Sequence, residues 1–145
     1  MIRTASGPVL TERNDEDLLF AGPGPDQVFH DALSNGEFRI QQCRVCARHV
    51  FYPRALCPEC GAPDPVWVMP RGRGVVYSTT VIRRKAEKGG DYNVAIIDLA
   101  EGPRLMSRVE DIPPEQVTIG MRVVARINRF DRGALLVFIP EEQSQ

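Results

Sequence analysis

From Gly74 onward the chain alternates apolar and polar positions in short runs separated by turn formers, the signature of half-buried β-strands. Val75 to Arg84 is rich in β-branched residues, and Lys85 to Asp91 is a charged, Gly-containing loop. Tyr92 to Leu99 reads as a second strand, Glu101-Gly102-Pro103 as a turn, and Arg104 to Val109 as a third strand. Pro113-Pro114 is too stiff for a central strand, so Ile112 to Val117 is expected as a loop or short helical turn. Met121 to Phe130 and Ala134 to Ile139 complete the set across Asp131-Arg132-Gly133. Five short strands with one interruption fit a small closed barrel of the OB-fold type.

The first part of the chain is patterned differently. Val28, Phe29, Ala32 and Leu33 fall at helical spacing, with Asp26 as the expected cap and Asn35-Gly36 as the stop near Ser34. Phe38 and Ile40 alternate with Glu37, Arg39 and Gln41, which predicts a strand leading into a cysteine pair. Before Asp26 no periodicity survives, and Gly22-Pro23-Gly24-Pro25 breaks any element, so residues 1–25 read as an extended arm. Its apolar trio Leu18, Leu19 and Phe20 packs on the body of the fold or docks on a partner. The expected organisation is an arm with a short helix over 1–36, a cysteine-bearing ribbon over 37–70, a barrel over 71–140 and a polar tail over 141–145.

Four cysteines supply the sharpest chemistry. CRVC at 43–46 and CPEC at 57–60 are two C-x2-C pairs with ten residues between them. Each pair can turn both sulfurs toward one ion while intervening N–H groups spread the thiolate charge. Cys43, Cys46, Cys57 and Cys60 are therefore read as one tetrahedral site for structural zinc, with rubredoxin-like iron as the alternative. Four sulfurs fill every position, which leaves no room for a metal-bound substrate. Gly61 tolerates the positive φ that closes a knuckle, whereas Ala47 stands at the matching place after the first pair and implies slight strain there. Val50, Phe51 and Tyr52 read as a strand-like segment, and Phe51 with Trp67 as a cover for the ribbon core or, less commonly for such residues, a stacking platform.

Charge changes the picture modestly. Residues 1–42 carry three basic and seven acidic side chains, residues 43–70 three and two, and residues 71–140 twelve and eight, for a net charge of -1 over 145 residues. A mildly basic barrel suits an anionic ligand better than nucleic acid, which selects a more basic footprint. No apolar leader or bilayer-length run is present, so a cytoplasmic location with reduced cysteines is expected. No nucleophile–base pair, phosphate loop or open metal position is discernible. His30 and His49 lack a nucleophile beside them, and Asp98, Glu101, Glu110 and Asp111 flank turns, where solvated carboxylates are ordinary.

These residues resemble a known family. FHDALSNGEFRIQQC, CRVCARHVFYPRALCPEC, GRGVVYSTTVIRR and YNVAIIDLAEGPRLMSRVEDIPPEQVTIGMRVVARI carry the likeness between about Phe29 and Ile139. Within them stand Tyr52-Pro53-Arg54, Gly74-x-Val76-Tyr77-Ser78 and Gly120-Met121-Arg122-Val123. The family joins an N-terminal helical arm, a rubredoxin-like zinc ribbon and a C-terminal OB-fold, and its members serve as accessory subunits of thiolase-like and related acyl-CoA enzymes. The resemblance implies a mostly β protein without its own catalytic residues, paired with a thiolase-like catalytic subunit acting on a β-ketoacyl-CoA by thiolysis or acyl transfer. Arg83, Arg84, Lys85 and Lys88 become candidates for CoA phosphate contacts, and Phe38, Phe51 and Leu18–Phe20 for docking. Ala47 and the long extension before Asp26 depart from the family pattern. A single-stranded nucleic-acid binder and a freestanding acyl-CoA-binding protein are the alternative readings.

Overall fold

The computed structural model describes residues 24–143. The patch Leu18–Phe20 lies outside them. Pro25–Ser34 forms a ten-residue helix, α1, with Gly24 rather than Asp26 at its N-cap. Proline explains the shift: its fixed φ and missing N–H suit the first helical position, so Asp26 moves into the first turn, where a carboxylate complements the helix dipole. Asn35 caps the other end and Gly36 follows at φ 83°, as the Asn-Gly pair implies. Phe29 and Leu33 form the buried stripe.

Three very short strands make the ribbon: β1 (Ile40–Gln42), β2 (His49–Val50) and β3 (Val66–Val68), ordered β2-β1-β3 and antiparallel throughout. The strand expected from Phe38 starts only at Ile40, and the Val50–Tyr52 segment is extended only as far as Val50. Trp67 pairs with Gln41 on β3, an edge that apolar alternation did not announce.

The barrel half has β4 (Arg73–Ile82), β5 (Tyr92–Leu99), β6 (Arg104–Ser107), β7 (Arg122–Phe130) and β8 (Gly133–Pro140). Their order is β6-β5-β4-β7-β8, all antiparallel. The sheet curls until its two edges meet: Phe138 N donates to Arg108 O at 2.9 Å and Glu110 N to Phe138 O at 2.7 Å, a parallel bridge at Val109. Closure is therefore local. The Pro-Pro stretch becomes a single 3-10 turn, Pro114–Gln116.

One apolar cluster runs through all three parts. Phe29 and Leu33 of α1, Phe38 and Ile40 of the ribbon, and Val76, Ile97, Leu105 and Phe138 of the barrel belong to it. Phe51 and Trp67 pack against this cluster from the ribbon side. Asn93 is the buried polar exception on β5; its side chain bonds to Thr79 and to Thr80 O, and accepts from Val109 N at 3.1 Å. Among the described residues no helix is long and apolar enough to cross a membrane.

Candidate metal centre and its surroundings

Each knuckle is a tight backbone hairpin. Cys43 N donates to Arg48 O and Cys57 N to Ala62 O, both at 2.9 Å, which folds each C-x2-C pair back on itself. Two N–H groups in the first knuckle point at Cys43 Sγ, from Val45 at 3.3 Å and Cys46 at 3.4 Å. In the second, Glu59 N points at Cys57 Sγ at 3.4 Å. Closing these turns needs left-handed backbone just beyond each pair. Gly61 takes φ 79° freely, whereas Ala47 takes φ 65° against its own Cβ, so the strain expected of the first knuckle is present.

The four Sγ atoms lie within 4.8 Å of one another. Cys43 and Cys60 approach to 3.4 Å and Cys46 and Cys57 to 3.7 Å. A disulfide needs about 2.05 Å. A tetrahedron with metal–sulfur bonds of about 2.3 Å has edges of about 3.8 Å. The spacing thus suits four thiolates around one ion, and the residues present fit a tetrahedral metal. Cys43 and Cys57 are buried, Cys46 is half-buried and Cys60 is exposed.

The backbone prepares part of the charge. The Cys46 and Val45 N–H groups hold the Cys43 thiol down to about 6, and the Cys60 and Glu59 N–H groups lower Cys57. Cys60 goes the other way, to about 11: the Ala62 N–H favours its thiolate, but the neighbouring Cys43, Cys57 and Cys46 sulfurs outweigh that bond. Cys46 is also raised, since burial and the neighbouring sulfurs overcome the Arg48 N–H. Four thiolates this close repel one another, and a divalent cation is what relieves that repulsion.

The knuckles are tied to their surroundings by polar clamps. Gln41, 2% exposed, donates from Nε2 to Arg54 O and accepts from Arg54 N, both at 2.7 Å. It thereby fixes the Pro53-Arg54 step that delivers Cys57. Gln42 Nε2 donates to Ala47 O at 2.9 Å, Arg44 Nε to Asp64 O at 2.7 Å, and Arg48 pairs with Glu59 across the two knuckles. Gln41 escaped the sequence reading because a polar side chain next to Ile40 counts as outward-facing, yet both are buried.

The remaining candidates separate. Arg83 Nη1 is held by Asp91 at 2.6 Å and Glu115 at 3.0 Å, and Arg84 stacks on the Tyr92 ring at 4.6 Å while donating to Gly90 O. Lys85, which precedes the 3-10 turn Ala86–Lys88, and Lys88, its last residue, are both exposed. The four basic residues share a loop, but two of them are engaged within it. Phe38 belongs to the core and offers no docking surface; Phe51 is half-buried against it. Exposed apolar side chains occur instead at Tyr52, Met106 and Leu135. His30 lies exposed on α1 beside Asp26 at 3.6 Å, and His49 sits in β2. Asp98 binds Arg104, Glu101 accepts from Arg71 N, and Glu110 and Asp111 both take Arg126.

Comparison with known proteins agrees with this architecture. A family model described as the ChsH2 rubredoxin-like zinc ribbon domain matches residues 30–66, and one described as the ChsH2 C-terminal OB-fold domain matches residues 67–128. A probable enoyl-CoA hydratase alpha subunit from Thermomonospora curvata is 32% identical over 148 residues, covering 94% of this chain. The chain spans only 46% of that relative's length. A DUF35 domain-containing scaffold protein from Pyrococcus furiosus is 30% identical over 97 residues, which is 62% of this chain and 71% of the relative. A chain of the solved Ltp2-ChsH2(DUF35) aldolase superposes with a TM-score of 0.73 at 32% identity, covering 83% of this chain and 97% of that one. The chain belongs to the ChsH2-like DUF35 family of zinc-ribbon and OB-fold proteins.

Proposed function

We propose that the chain is a non-catalytic accessory subunit of an acyl-CoA enzyme, braced by one structural zinc on Cys43, Cys46, Cys57 and Cys60. The observation that carries this reading is that relatives with different reactions share the module. One is named a hydratase subunit, one a scaffold and one part of an aldolase. A domain common to hydration and aldol chemistry has a role independent of either, such as holding a catalytic chain or its substrate entrance in shape. The site's own chemistry supports this. Four sulfurs saturate a tetrahedral ion, which suits structure rather than turnover.

Zinc is favoured over iron because its closed shell accepts any tetrahedral thiolate set without a redox role. The catalytic partner is read as thiolase-like and the reaction as thiolysis or acyl transfer on a β-ketoacyl-CoA; this part rests on the sequence resemblance. Contact with CoA phosphates falls chiefly to Lys85 and Lys88, because Arg83 and Arg84 are engaged within the loop.

Co-expression with a thiolase-like catalytic chain tests the proposal. The two should co-purify with one zinc per accessory chain, and carbon–carbon bond cleavage of β-ketoacyl-CoA esters should require both. Full activity of the catalytic chain alone, or turnover by this chain alone, refutes it.

A further inference from the structure

A groove of about 230 Å³ opens where helix, ribbon and barrel meet, lined by Asp26 and His30 of α1, Tyr52 of the ribbon, Met106 of β6 and Leu135 of β8. Tyr52, Met106 and Leu135 are 52%, 58% and 44% exposed, a concentration of large apolar side chains around one depression. The register of the β7–β8 hairpin extends this surface. Leu135 stands opposite Asn128, and side chains two apart on a strand share a face. Phe130, 59% exposed, is therefore on the same face as Leu135, nearer the hairpin tip. The groove is smaller than the roughly 300–1,000 Å³ typical of small-molecule sites, so it suits one or two inserted side chains better than a CoA ester.

Opposite charges stand at the two ends of this patch. α1 carries Asp26 and Asp31 but no lysine or arginine. Asp26 lies largely exposed at the helix start, and its ionisable neighbour among the described residues is the His30 imidazole at 3.6 Å. At the far end of α1 the Arg129 guanidinium packs on Gly36 so closely that a Cβ there would collide with it. The basic hairpin tip is thus beside the end of a ten-residue helix, about 15 Å from Asp26. Arg129 and Arg132 are exposed there, and neither forms an ion pair with a described residue; Asp131 is the one acid between them.

We propose that this patch is a self-complementary interface between two copies of the chain, with Tyr52, Met106, Phe130 and Leu135 at its centre and Asp26 of each copy meeting Arg132 of the other. A two-fold axis through the apolar centre lays the acidic end of one copy on the basic end of its mate. Every ionic contact then occurs twice, and the assembly closes at two chains. Phe130 supplies the anchor: an exposed aromatic ring beside one groove can enter the groove of the other copy, the kind of side chain that dominates binding energy. A partner surface of uniform charge would match one end of the patch and oppose the other, whereas a second copy matches both.

The test uses the full-length zinc-loaded chain alone, so it stands or falls independently of the accessory-subunit reading. Sedimentation velocity at micromolar concentration should show a dimer. Met106→Asp/Leu135→Asp should give a monomer with the barrel amide spectrum in place. Asp26→Lys and Arg132→Glu should each weaken the dimer by about tenfold or more, because each brings like charges together twice. Two restorations separate a contact between copies from a structural role within one chain. The double variant Asp26→Lys/Arg132→Glu should dimerise like the parent. An equimolar mixture of the two single variants should form a mixed dimer more tightly than either pairs with itself. A monomeric parent chain overturns the proposal and leaves the groove to another occupant. So does a dimer indifferent to Met106→Asp/Leu135→Asp, or a set of charge variants whose effect is absent or is not reversed by combination.

Discussion

Replacing Gln41 by Met isolates the clamp that orders the two knuckles relative to each other. Methionine keeps the volume and the unbranched shape, so packing loss stays small. What disappears is both 2.7 Å bonds to Arg54, leaving its N–H and C=O without their partner beside a side chain that is 2% exposed. An orphaned buried backbone group costs about 1–3 kcal/mol. Arg54 is itself exposed, so its backbone regains some water and the low end applies to each group. The expected loss is about 2 kcal/mol, a sizeable part of a typical 5–15 kcal/mol total. In urea at fixed free zinc, with a slope of about 2 kcal/mol/M, the midpoint should fall by about 1 M with the slope unchanged. Metal transfer to a chromogenic chelator should also accelerate, although all four sulfurs remain. A Gln41→Met protein within about 0.5 kcal/mol of the parent, releasing metal at the parent rate, shows that the clamp has no mechanical role.

Four further outcomes follow from the same geometry. Cys57→Ser, or chelation of the native protein, should unfold the ribbon and lower the melting temperature sharply, since structural zinc contributes roughly 10–16 kcal/mol in small ribbons; circular dichroism melts with native mass spectrometry check it. Ala47→Gly should stabilise by about 0.5–1 kcal/mol, because relief of the φ 65° conformation exceeds the extra chain entropy of glycine, and a lower urea midpoint contradicts this. Asp91 is held below the usual carboxylate range by the Arg84 N–H and by Arg83, so it stabilises the loop above about pH 4; that contribution disappears as pH falls through the lowered folded value, and a carboxyl titration by NMR at or above the usual value refutes it. Lys85→Ala/Lys88→Ala should raise KM for acyl-CoA in the assembled complex several-fold with kcat little changed, whereas equal kinetics remove this loop from the ligand.

The elements most readily read from sequence were those whose face pattern is simple. Tyr92 to Leu99 forms β5 with its expected bounds, since Asn93, Ala95, Ile97 and Leu99 turn inward and their neighbours outward. The cysteine spacing brought four sulfurs together for an equally local reason: each C-x2-C pair closes through bonds inside its own hairpin. What the pattern hid depends on partners distant in the chain. Gln41 is buried because Arg54, thirteen positions on, meets both ends of its amide. Asp26 is a good cap in isolation, and only the preceding Pro25 moves the helix start two residues back to Gly24.

Charge shows the same division between composition and placement. Counting residues makes Arg83 and Arg84 members of an anion-binding loop, but the hairpin returns Asp91 against Arg83 and Tyr92 beneath Arg84. Elsewhere in this half Glu110 and Asp111 engage Arg126, and Glu110 also takes Arg108 at 2.7 Å. Glu110 lies next to Val109, the residue whose bridge to Phe138 closes the sheet. The excess of basic residues in this half is therefore partly consumed in fastening a barrel that has one short closing seam. A surface that spends its arginines in this way is poorly suited to tracking a phosphate backbone, where free cations in series set the affinity. It suits a scaffold better: the ion pairs hold the curled sheet and the four-cysteine site holds the ribbon, while among the described residues Tyr52, Met106 and Leu135 stay exposed at the junction between them.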